Sequence, residues 1–433
     1  MPATEEARVS RSEEFQNACS QGLLDVAQRL HGAGASVDAT ANHRWTPLHT
    51  ACSNGHLNVA QWLHSAGASV DATTRNGGTP LHVACSKGHL DVAQWLHSAG
   101  ASVDATDNGE DTPLRLLLTT PLHLACDKGH LDISQWLHSV GASLDATTCT
   151  GCTPLHIACL NGQLDISQWL HSVGASLNAA DNDEHTPLHI ACSNGHLHVA
   201  QWLHGAGASL DATDDRGWTL LHSACSDGHL NVAQWLHGAG ASLDATANHR
   251  WTPLLLACSK GQLDVAQWLH SVGASVNAID SGGYTPLHHA CYQGLFETAQ
   301  WLCSVGANAT LRTNDGRTPA QLLQRPDRTV QLDQQALRST LACLVRRAQA
   351  QGPLHALHHT APRQALKLTP RPAPCRCRGV GCSGDDRRRS QLERRQWRGR
   401  AAVCNRDGRR SGGSAGSRGG RRDGEGAAAH RLP

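Results

Sequence analysis

Residues 186–218 read TPLHIACSNGHLHVAQWLHGAGASLDATDDRGW, and this stretch contains every part of the unit that builds the chain. Pro187 suits the first turn of a helix, where the missing N–H of proline costs nothing. Apolar residues then recur in two successive stretches at the three- and four-residue spacing of one helix face. Gly195 and Gly207 follow these stretches, as glycine commonly follows a helix end. The unit therefore predicts two short helices and a polar turn.

The motif Thr-Pro-Leu-His recurs along most of the chain at an interval of 33 residues. It begins at Thr46, Thr79, Thr120, Thr153, Thr186 and Thr285, with variants at Thr219, Thr252 and Thr318. One interval, from Thr79 to Thr120, is 41 residues because extra residues stand at 112–119. This succession of helix, turn, helix and β-turn resembles the ankyrin repeat, whose signature includes T-P-L-H-x-A.

The resemblance implies an all-α repeat fold, an ankyrin solenoid of helix-turn-helix units with β-turn fingers. The basic tail that follows is expected to be disordered, because its Arg, Gly, Ser and Ala residues cannot bury a core. We expect a disordered N-terminus over residues 1–12 and an array of about nine repeats with a C-terminal cap over residues 13–350. The tail rich in Arg and Gly occupies residues 351–433. The cap is predicted from a helical stripe of Leu337, Leu341, Leu344 and Val345, because a solenoid needs its last apolar face covered. The insertion at 112–119 is expected to lengthen one finger.

The formal net charge of +1 hides an asymmetry between the two ends of the chain. Residues 370–433 hold 17 Arg, no Lys and 6 acidic residues, which gives +11, whereas residues 1–369 carry −10. A basic tail can bind nucleic acid or act as a nuclear address, and the alternative is a solvated tail without function or a wrongly assigned gene end. Any nucleic-acid binding is expected of the tail alone. No apolar run is long enough for a membrane span, and residues 1–15 do not resemble a secretory signal. We expect a monomer in the cytoplasm or nucleus.

Residues that recur in every repeat are expected to build the repeat rather than to carry chemistry. Nine cysteines in phase are predicted to be buried thiols in a reducing compartment: Cys19, Cys52, Cys85, Cys126, Cys159, Cys192, Cys225, Cys258 and Cys291. Eight tryptophans in phase are predicted to be largely buried between repeats: Trp62, Trp95, Trp136, Trp169, Trp202, Trp235, Trp268 and Trp301. The resemblance also implies that the histidine of Thr-Pro-Leu-His links each finger to its neighbours by hydrogen bonds.

No catalytic, cofactor or metal residues are predicted, and the chain is interpreted as a non-enzyme. Glycine-rich strings follow helices rather than strands, and no nucleophile motif is present. Cys149 and Cys152 form a single C-x-x-C pair without the second pair of a zinc site. A cluster in the tail fits a metal site or a flexible segment that happens to contain cysteine; it comprises Cys375, Cys377, Cys382, His355, His358 and His359.

The position before each motif threonine is the fingertip, and it varies between repeats. The residues predicted to bind a partner are Arg44, Trp45, Arg216, Trp218, Arg250, Trp251 and Tyr284, because Trp, Tyr and Arg are enriched in interface hot spots. The alternative is that a fingertip tryptophan packs on the next finger. The leading hypothesis is a protein-interaction scaffold or adaptor that uses its concave face, with a partner of basic character because several fingers are acidic. The alternative is a nucleic-acid-associated adaptor that binds through its tail.

Overall fold

The computed structural model describes residues 2–107, 118–324 and 334–351. Within these ranges the chain forms twenty α-helices and no β-strand, which confirms the predicted all-α repeat fold. The helices are α1 Pro2–Ser20, α2 Leu24–Gly32, α3 Pro47–Ser53, α4 Leu57–Ser65, α5 Pro80–Lys87, α6 Leu90–Ser98, α7 Pro121–Lys128, α8 Leu131–Ser139, α9 Pro154–Leu160, α10 Leu164–Ser172, α11 Pro187–Ser193, α12 Leu197–Gly205, α13 Leu220–Asp227, α14 Leu230–Gly238, α15 Pro253–Lys260, α16 Leu263–Ser271, α17 Pro286–Gln293, α18 Phe296–Ser304, α19 Pro319–Leu323 and α20 Gln334–Ala350.

The repeat motif marks the start of the first helix in each unit. Thr186 stands in extended conformation before α11, and its side chain accepts a hydrogen bond from the backbone N–H of His189. The imidazole of His189 in turn bonds the backbone N–H of Thr186, so threonine and histidine form a capping box in place of the usual threonine and glutamate. Glycine ends several first helices; Gly228, for example, has a φ of 85° after α13, a conformation that favours glycine.

The core runs from repeat to repeat along the described chain and consists of small and branched apolar side chains. In α11 and α12, Leu188, Ala191, Cys192, Ala200 and Leu203 have no exposed surface. The same positions are buried in the neighbouring units, and all of them belong to one continuous apolar cluster. The predicted burial of the nine in-phase cysteines is confirmed. Each unit thus buries its apolar face only against its neighbours, as in other repeat proteins.

The second-helix tryptophans pack against the core and keep only the smaller part of their surface exposed, in agreement with the prediction that they are largely buried between repeats. Trp202 and the seven equivalent tryptophans are all partly exposed. The fully buried face of α12 is taken by Ala200 and Leu203, and a helix of nine residues has room for only one such face. Trp202 therefore lies at the flank, where its ring meets His171 of the preceding repeat edge-on at a centroid distance of 6.0 Å.

The N-terminus also differs from the expectation of disorder over residues 1–12, because α1 begins at Pro2 and continues to Ser20. The first repeat lacks Thr-Pro-Leu-His, so the sequence does not mark where its first helix should start. Residues 3–19 contain neither proline nor glycine, the two residues that most disfavour a helix interior. Phe15 and Cys19 have no exposed surface and hold the C-terminal half of α1 in the core.

The C-terminal end of the array is covered by α20, which packs against α18 and α19. Leu344 is buried and Leu341 partly buried, in agreement with the predicted stripe. Val345 is 50% exposed, so its placement in the stripe was wrong. It immediately follows Leu344, and consecutive residues of a helix point in directions about 100° apart. The side chain of Leu337 lies outside the described residues.

Hydrogen bonds join Asp107 to Thr119, the last of the eight extra residues before Thr120. Asp107 N–H donates to the carbonyl oxygen of Thr119 at 3.0 Å, and the Asp107 carboxylate accepts from Thr119 N–H at 3.0 Å. Leu118 is 43% exposed, as expected of a residue without a core position. The other inserted leucines of this stretch lie among residues 108–117, outside the described chain. The repeats on both sides continue in register.

Two compact units divide the chain, residues 1–361 and residues 362–433. The second unit and residues 352–361 of the first lie outside the described residues, and with them the Cys and His cluster and the basic tail from residue 352 onward. No helix in the described part of the chain is both long enough and apolar enough to cross a membrane.

Candidate partner-binding surface

Each finger is the turn that ends at the residue before the motif threonine, and its first residue closes it. In the finger formed by residues 214–218, Asp214 N–H donates to the carbonyl oxygen of Trp218 at 3.0 Å. The Asp214 carboxylate accepts from the backbone N–H groups of Arg216 at 3.0 Å and Trp218 at 2.7 Å. Asp181 and Asp280 close their own fingers in the same way. The fingertip backbone is therefore held in place before any partner arrives.

Backbone hydrogen bonds also join successive fingers to one another. Asn248 N–H donates to Arg216 O at 2.9 Å, and Ser281 N–H donates to His249 O at 2.8 Å. Asn314 N–H continues the series to Gly282 O at 2.9 Å. These bonds set the fingertip side chains of neighbouring repeats along one line, which we call the finger edge.

The histidine of Thr-Pro-Leu-His connects the first helix to the finger of the next repeat. Nδ1 of His49 accepts from Thr46 N–H at 3.3 Å, and Nε2 lies 3.1 Å from the carbonyl oxygen of Gly78, to which it donates in the neutral ring. The implied bridging role is thus confirmed for six histidines, His49, His82, His123, His156, His222 and His288, whereas Nε2 of His189 has no hydrogen-bond partner in the described part of the chain. Burial lowers the pKa of His49 to about 4, because a charged ring would be desolvated and would lose the Nδ1 acceptor.

The predicted residues Arg44 and Trp45 end a tight turn that begins at Asn42 and in which His43 has a φ of 58°. Arg44 is exposed and has a φ of 60°. Trp45 is half-buried, with its ring 5.9 Å from the ring of His49 in its own repeat. It forms one wall of a cleft of about 270 Å³ whose other lining residues include Val83 and Leu124.

The predicted residues Arg216 and Trp218 make one preorganised unit. The Arg216 guanidinium lies 4.2 Å from the centre of the Trp218 ring, a cation–π geometry. Its Nε and Nη2 both donate to Oδ2 of Asp214 at 3.0 Å, and the Asp214 side chain is fully buried. His185 of the preceding finger lies 3.5 Å from the same oxygen. A hydrogen bond to Asp181 raises the pKa of His185, because the nearby carboxylate favours the protonated ring.

The predicted residues Arg250, Trp251 and Tyr284 lie on two neighbouring fingers, with Arg250 exposed. The rings of Trp251 and Tyr284 both pack on His289, at centroid distances of 4.5 Å and 5.3 Å. Nε2 of His289 lies 3.0 Å from Oδ2 of Asp280. Together with Tyr292 these side chains line a cleft of about 490 Å³, here named the aromatic cleft: His249, Trp251, Ser259, Asp280, Ser281, Gly282, Tyr284, His289, Tyr292 and Gln293.

Comparison with known proteins identifies the family of this array. A family model described as "Ankyrin repeats (3 copies)" matches residues 15–107, 109–181, 171–247 and 237–315. The chain belongs to the ankyrin repeat family. The crystal structure of the human ASB11 ankyrin repeat domain is similar at 28% identity over 53% of this chain and 98% of that chain, with a TM-score of 0.46. A comparison with the curated proteins gives no match.

Two residues of the aromatic cleft are missing from the set predicted from the ankyrin sequence. His289 occupies a position held by small or aliphatic residues elsewhere, such as Val83 and Ile190. Tyr292 occupies a position where most other repeats have Ser or Asp, such as Ser259. Both depart from the period, so a comparison of the repeats column by column would have found them. Neither residue belongs to a finger, where the predicted partner-binding residues lie.

The cysteines outside the ankyrin phase were also considered as a metal site. Cys149 is exposed and Cys152 is half-buried, with its thiol 3.9 Å from Oδ2 of Asp181. Among residues 2–107, 118–324 and 334–351, no group of three or more Cys, His, Asp or Glu side chains could hold a metal ion. Ankyrin repeats are generally protein-protein interaction modules, and the finger edge is the part of this array that differs most between repeats.

Proposed function

We propose that this protein is an interaction scaffold that binds a partner protein through the finger edge and the adjoining first helices, on the concave face of the array. The observation that supports this proposal best is the aromatic cleft. Three aromatic side chains from two repeats, Trp251, Tyr284 and Tyr292, line one open cleft and are half-buried rather than packed away. Half-buried aromatic groups on an ordered support provide contact area at little further cost in conformational entropy.

The Trp218 finger extends this surface along the finger edge. The guanidinium of Arg216 in this finger already contacts the Asp214 carboxylate and the Trp218 indole ring, so little side-chain freedom remains to be lost on binding. Arg216 is 51% exposed and keeps donor groups that can reach a partner carboxylate or carbonyl. Aromatic and arginine side chains of this kind dominate the energy of many interfaces.

The acidic fingers favour a partner with basic character at the centre of the edge. Asp181 and Asp214 use their carboxylates inside the fingers, for the backbone and for His185 and Arg216. The adjoining carboxylates of Asp183, Glu184 and Asp215 are exposed. Exposed charges of one sign guide association with a partner of opposite sign more than they add affinity.

The test compares two double variants of the full chain. Partners are captured with the natural protein, identified by mass spectrometry, purified, and titrated against Trp218→Ala with Trp251→Ala. The matched control is Trp235→Ala with Trp268→Ala, which removes the same side chains from the second helices. We expect the fingertip variant to lose roughly 30-fold or more in affinity per hot-spot residue, and the control to retain it.

A milder variant separates binding from folding. Tyr292→Ser installs the residue that Ser53, Ser86 and Ser259 provide at the same position of other repeats, so the helix should form normally. Weakened binding with an unchanged unfolding midpoint would support the aromatic cleft as the site. Full affinity in both the Tyr292 variant and the fingertip double variant would show that the partner binds elsewhere.

A further inference from the structure

The terminal helix α20 packs against α18 in a fixed register. The side-chain amide of Gln300 donates to the hydroxyls of Ser339 and Thr340, both at 2.9 Å. Two turns further along, Nε of Arg347 donates to the carbonyl oxygen of Ala307 at 3.4 Å. Thr340 and Arg347 each lie 40 residues after their partner, so the two segments run in the same direction with matched levels.

Cys303 and Cys343 are also 40 residues apart, and they lie between the two pairs of hydrogen-bonded residues along the helices. Cys303 of α18 is 4% exposed, and Cys343 of α20 is partly exposed. The side chain of Cys343 is close enough to that of Cys303 to raise the pKa of the Cys303 thiol further. The polar contacts on both sides keep the pair facing one another, because neither helix can rotate or slide without breaking them.

Cys303 also breaks the repeat at a functional position of the stack. The eight preceding repeats carry histidine there, as in His237 and His270. The ring of His270 meets Trp301 of the following repeat edge-on at 6.0 Å. After the last full repeat, α20 takes the place of the next second helix. Cys303 stands at the histidine position, and Cys343 of α20 stands in place of the tryptophan partner. At this end of the array two cysteines therefore stand where a histidine and a tryptophan join neighbouring repeats elsewhere.

We propose that Cys303 and Cys343 form a reversible disulfide that fastens the terminal helix to the last repeat when the protein meets a peroxide. The Cys343 thiolate attacks one oxygen of the peroxide, which gives a sulfenic acid and releases hydroxide or alkoxide. The sulfur of Cys303 then attacks the sulfenic sulfur, the S–S bond forms, and water leaves with the thiol proton. The two sulfurs together lose two electrons, which reduce the peroxide, and a dithiol reductant reverses the change.

The exposures of the two thiols give each a distinct role in this step. Cys343 is the one that solvent can reach, so it meets the oxidant first. Burial raises the pKa of Cys303 to about 12, with a further rise from Cys343 itself, so Cys303 is not the thiol that meets the peroxide. Its position beside Cys343 lets it react once Cys343 is oxidised. The new bond closes the chain between residues 303 and 343 and limits the unfolded ensemble of the cap.

The test is peptide mapping of the full chain after brief treatment with dilute hydrogen peroxide and then alkylation of the remaining thiols. Trypsin releases Cys343 as the only cysteine of peptide 339–346, and Cys303 in peptide 261–312. We expect these two peptides to be joined, the joining to reverse with dithiothreitol, and fragmentation to place the bond at Cys303 rather than at the buried Cys291.

Two controls give the result its meaning. Cys149→Ser removes the exposed finger thiol and should leave the bond between Cys303 and Cys343 unchanged. Peroxide treatment in urea, where the chain is unfolded, should join peptide 339–346 to many different cysteine peptides. Oxidation should also raise the thermal midpoint of the natural chain by several degrees and leave Cys343→Ser unchanged. A chain in which peptide 339–346 carries only sulfinate or sulfonate, or joins other cysteines under native conditions, would overturn the proposal.

Discussion

Two fingers with the same sequence, His43-Arg44-Trp45 and His249-Arg250-Trp251, present different surfaces. Their backbones agree closely, with φ values of 58° and 60° in the first and 57° and 62° in the second for the His and Arg residues. Trp45, however, lies 5.9 Å from a histidine of its own repeat, whereas Trp251 stacks at 4.5 Å on His289 of the next one.

The difference arises from residues outside the fingers. The repeat that follows Trp45 supplies Val83 beside the fingertip, and the repeat that follows Trp251 supplies His289. The Trp251 repeat also has Leu255 where the Trp45 repeat has His49. Identical fingertips therefore acquire different surroundings from their neighbours, and recognition in this array depends on pairs of repeats rather than on single ones.

The largest expected effect concerns His49 and Leu255. The pKa of His49 is lowered from 6.5 to about 4 by burial, so the folded state binds fewer protons than the unfolded state between these values. Stability should be complete above about pH 6.5 and fall as the pH drops towards 4, by on the order of 2 kcal/mol per such histidine at pH 5. Urea unfolding at pH 7, 6 and 5 measures the loss.

The variant His49→Leu places at this position the leucine that Leu255 provides in another repeat. It should reduce the loss of stability between pH 7 and pH 5 by the contribution of one histidine. A slope unchanged by the substitution would show that His49 is not responsible. The same comparison at His123 or His288, whose pKa values burial also lowers to about 4, would show whether the effect is shared between repeats.

The next effect concerns binding by the two matched tryptophans. Trp251→Ala should weaken binding of the partner by about 2 kcal/mol, since Trp251 borders the aromatic cleft. Trp45→Ala should cost less if the partner uses that cleft, although both substitutions remove the same side chain from the same backbone. Isothermal titration with the purified partner compares them, and equal losses would mean that the partner contacts both ends of the finger edge.

A smaller effect is expected from exchanging the neighbours. His289→Val gives Trp251 the neighbour that Trp45 has, and it should cost about 0.5–1.5 kcal/mol through the lost ring contacts. The reverse change, Val83→His, should add less stability than this, because the residue that closes that finger is Thr74 rather than Asp280. Thermal unfolding of both variants checks the pair, and a fully symmetrical exchange would contradict the role of the carboxylate.

The smallest effect tests whether the two backbones are truly equivalent. Arg44 and Arg250 both have positive φ, which costs a non-glycine residue roughly 1 kcal/mol. Arg44→Gly and Arg250→Gly should therefore each change stability slightly in the favourable direction, by at most about 1 kcal/mol after the added freedom of the unfolded chain is counted. Unequal gains would reveal that one arginine makes a contact that the other lacks.

The repeat fold could be predicted from the sequence because its signals are local and recur many times. Proline, glycine and the apolar spacing each mark a helix boundary or face, and every copy supports the others. That Trp202 lies at the flank of the buried face rather than at its centre could not be predicted in the same way. Periodicity shows that a residue is structural, but not whether it lies at the centre or at the flank of the buried face.

The candidate site was predicted only in part for a related reason. Arg216 and Trp218 were found because the fingertip column varies visibly. The contact of Trp251 with His289 joins residues 38 positions apart and depends on how one repeat stacks on the next. No single unit contains that information. The pairing of Cys303 with Cys343 escaped for the same reason, because the second cysteine lies beyond the last regular repeat.

The hydrogen bonds between Asp107 and Thr119 have a consequence for how this chain can change. They join two residues twelve positions apart by the same pair of hydrogen bonds that closes a finger of ordinary length. The helices before and after it therefore keep their places, whatever passes between the two residues. A foreign peptide grafted between Asp107 and Thr119 should be displayed by the scaffold without altering its spacing. The fingers are thus the points at which such a protein can acquire a new loop by a single insertion.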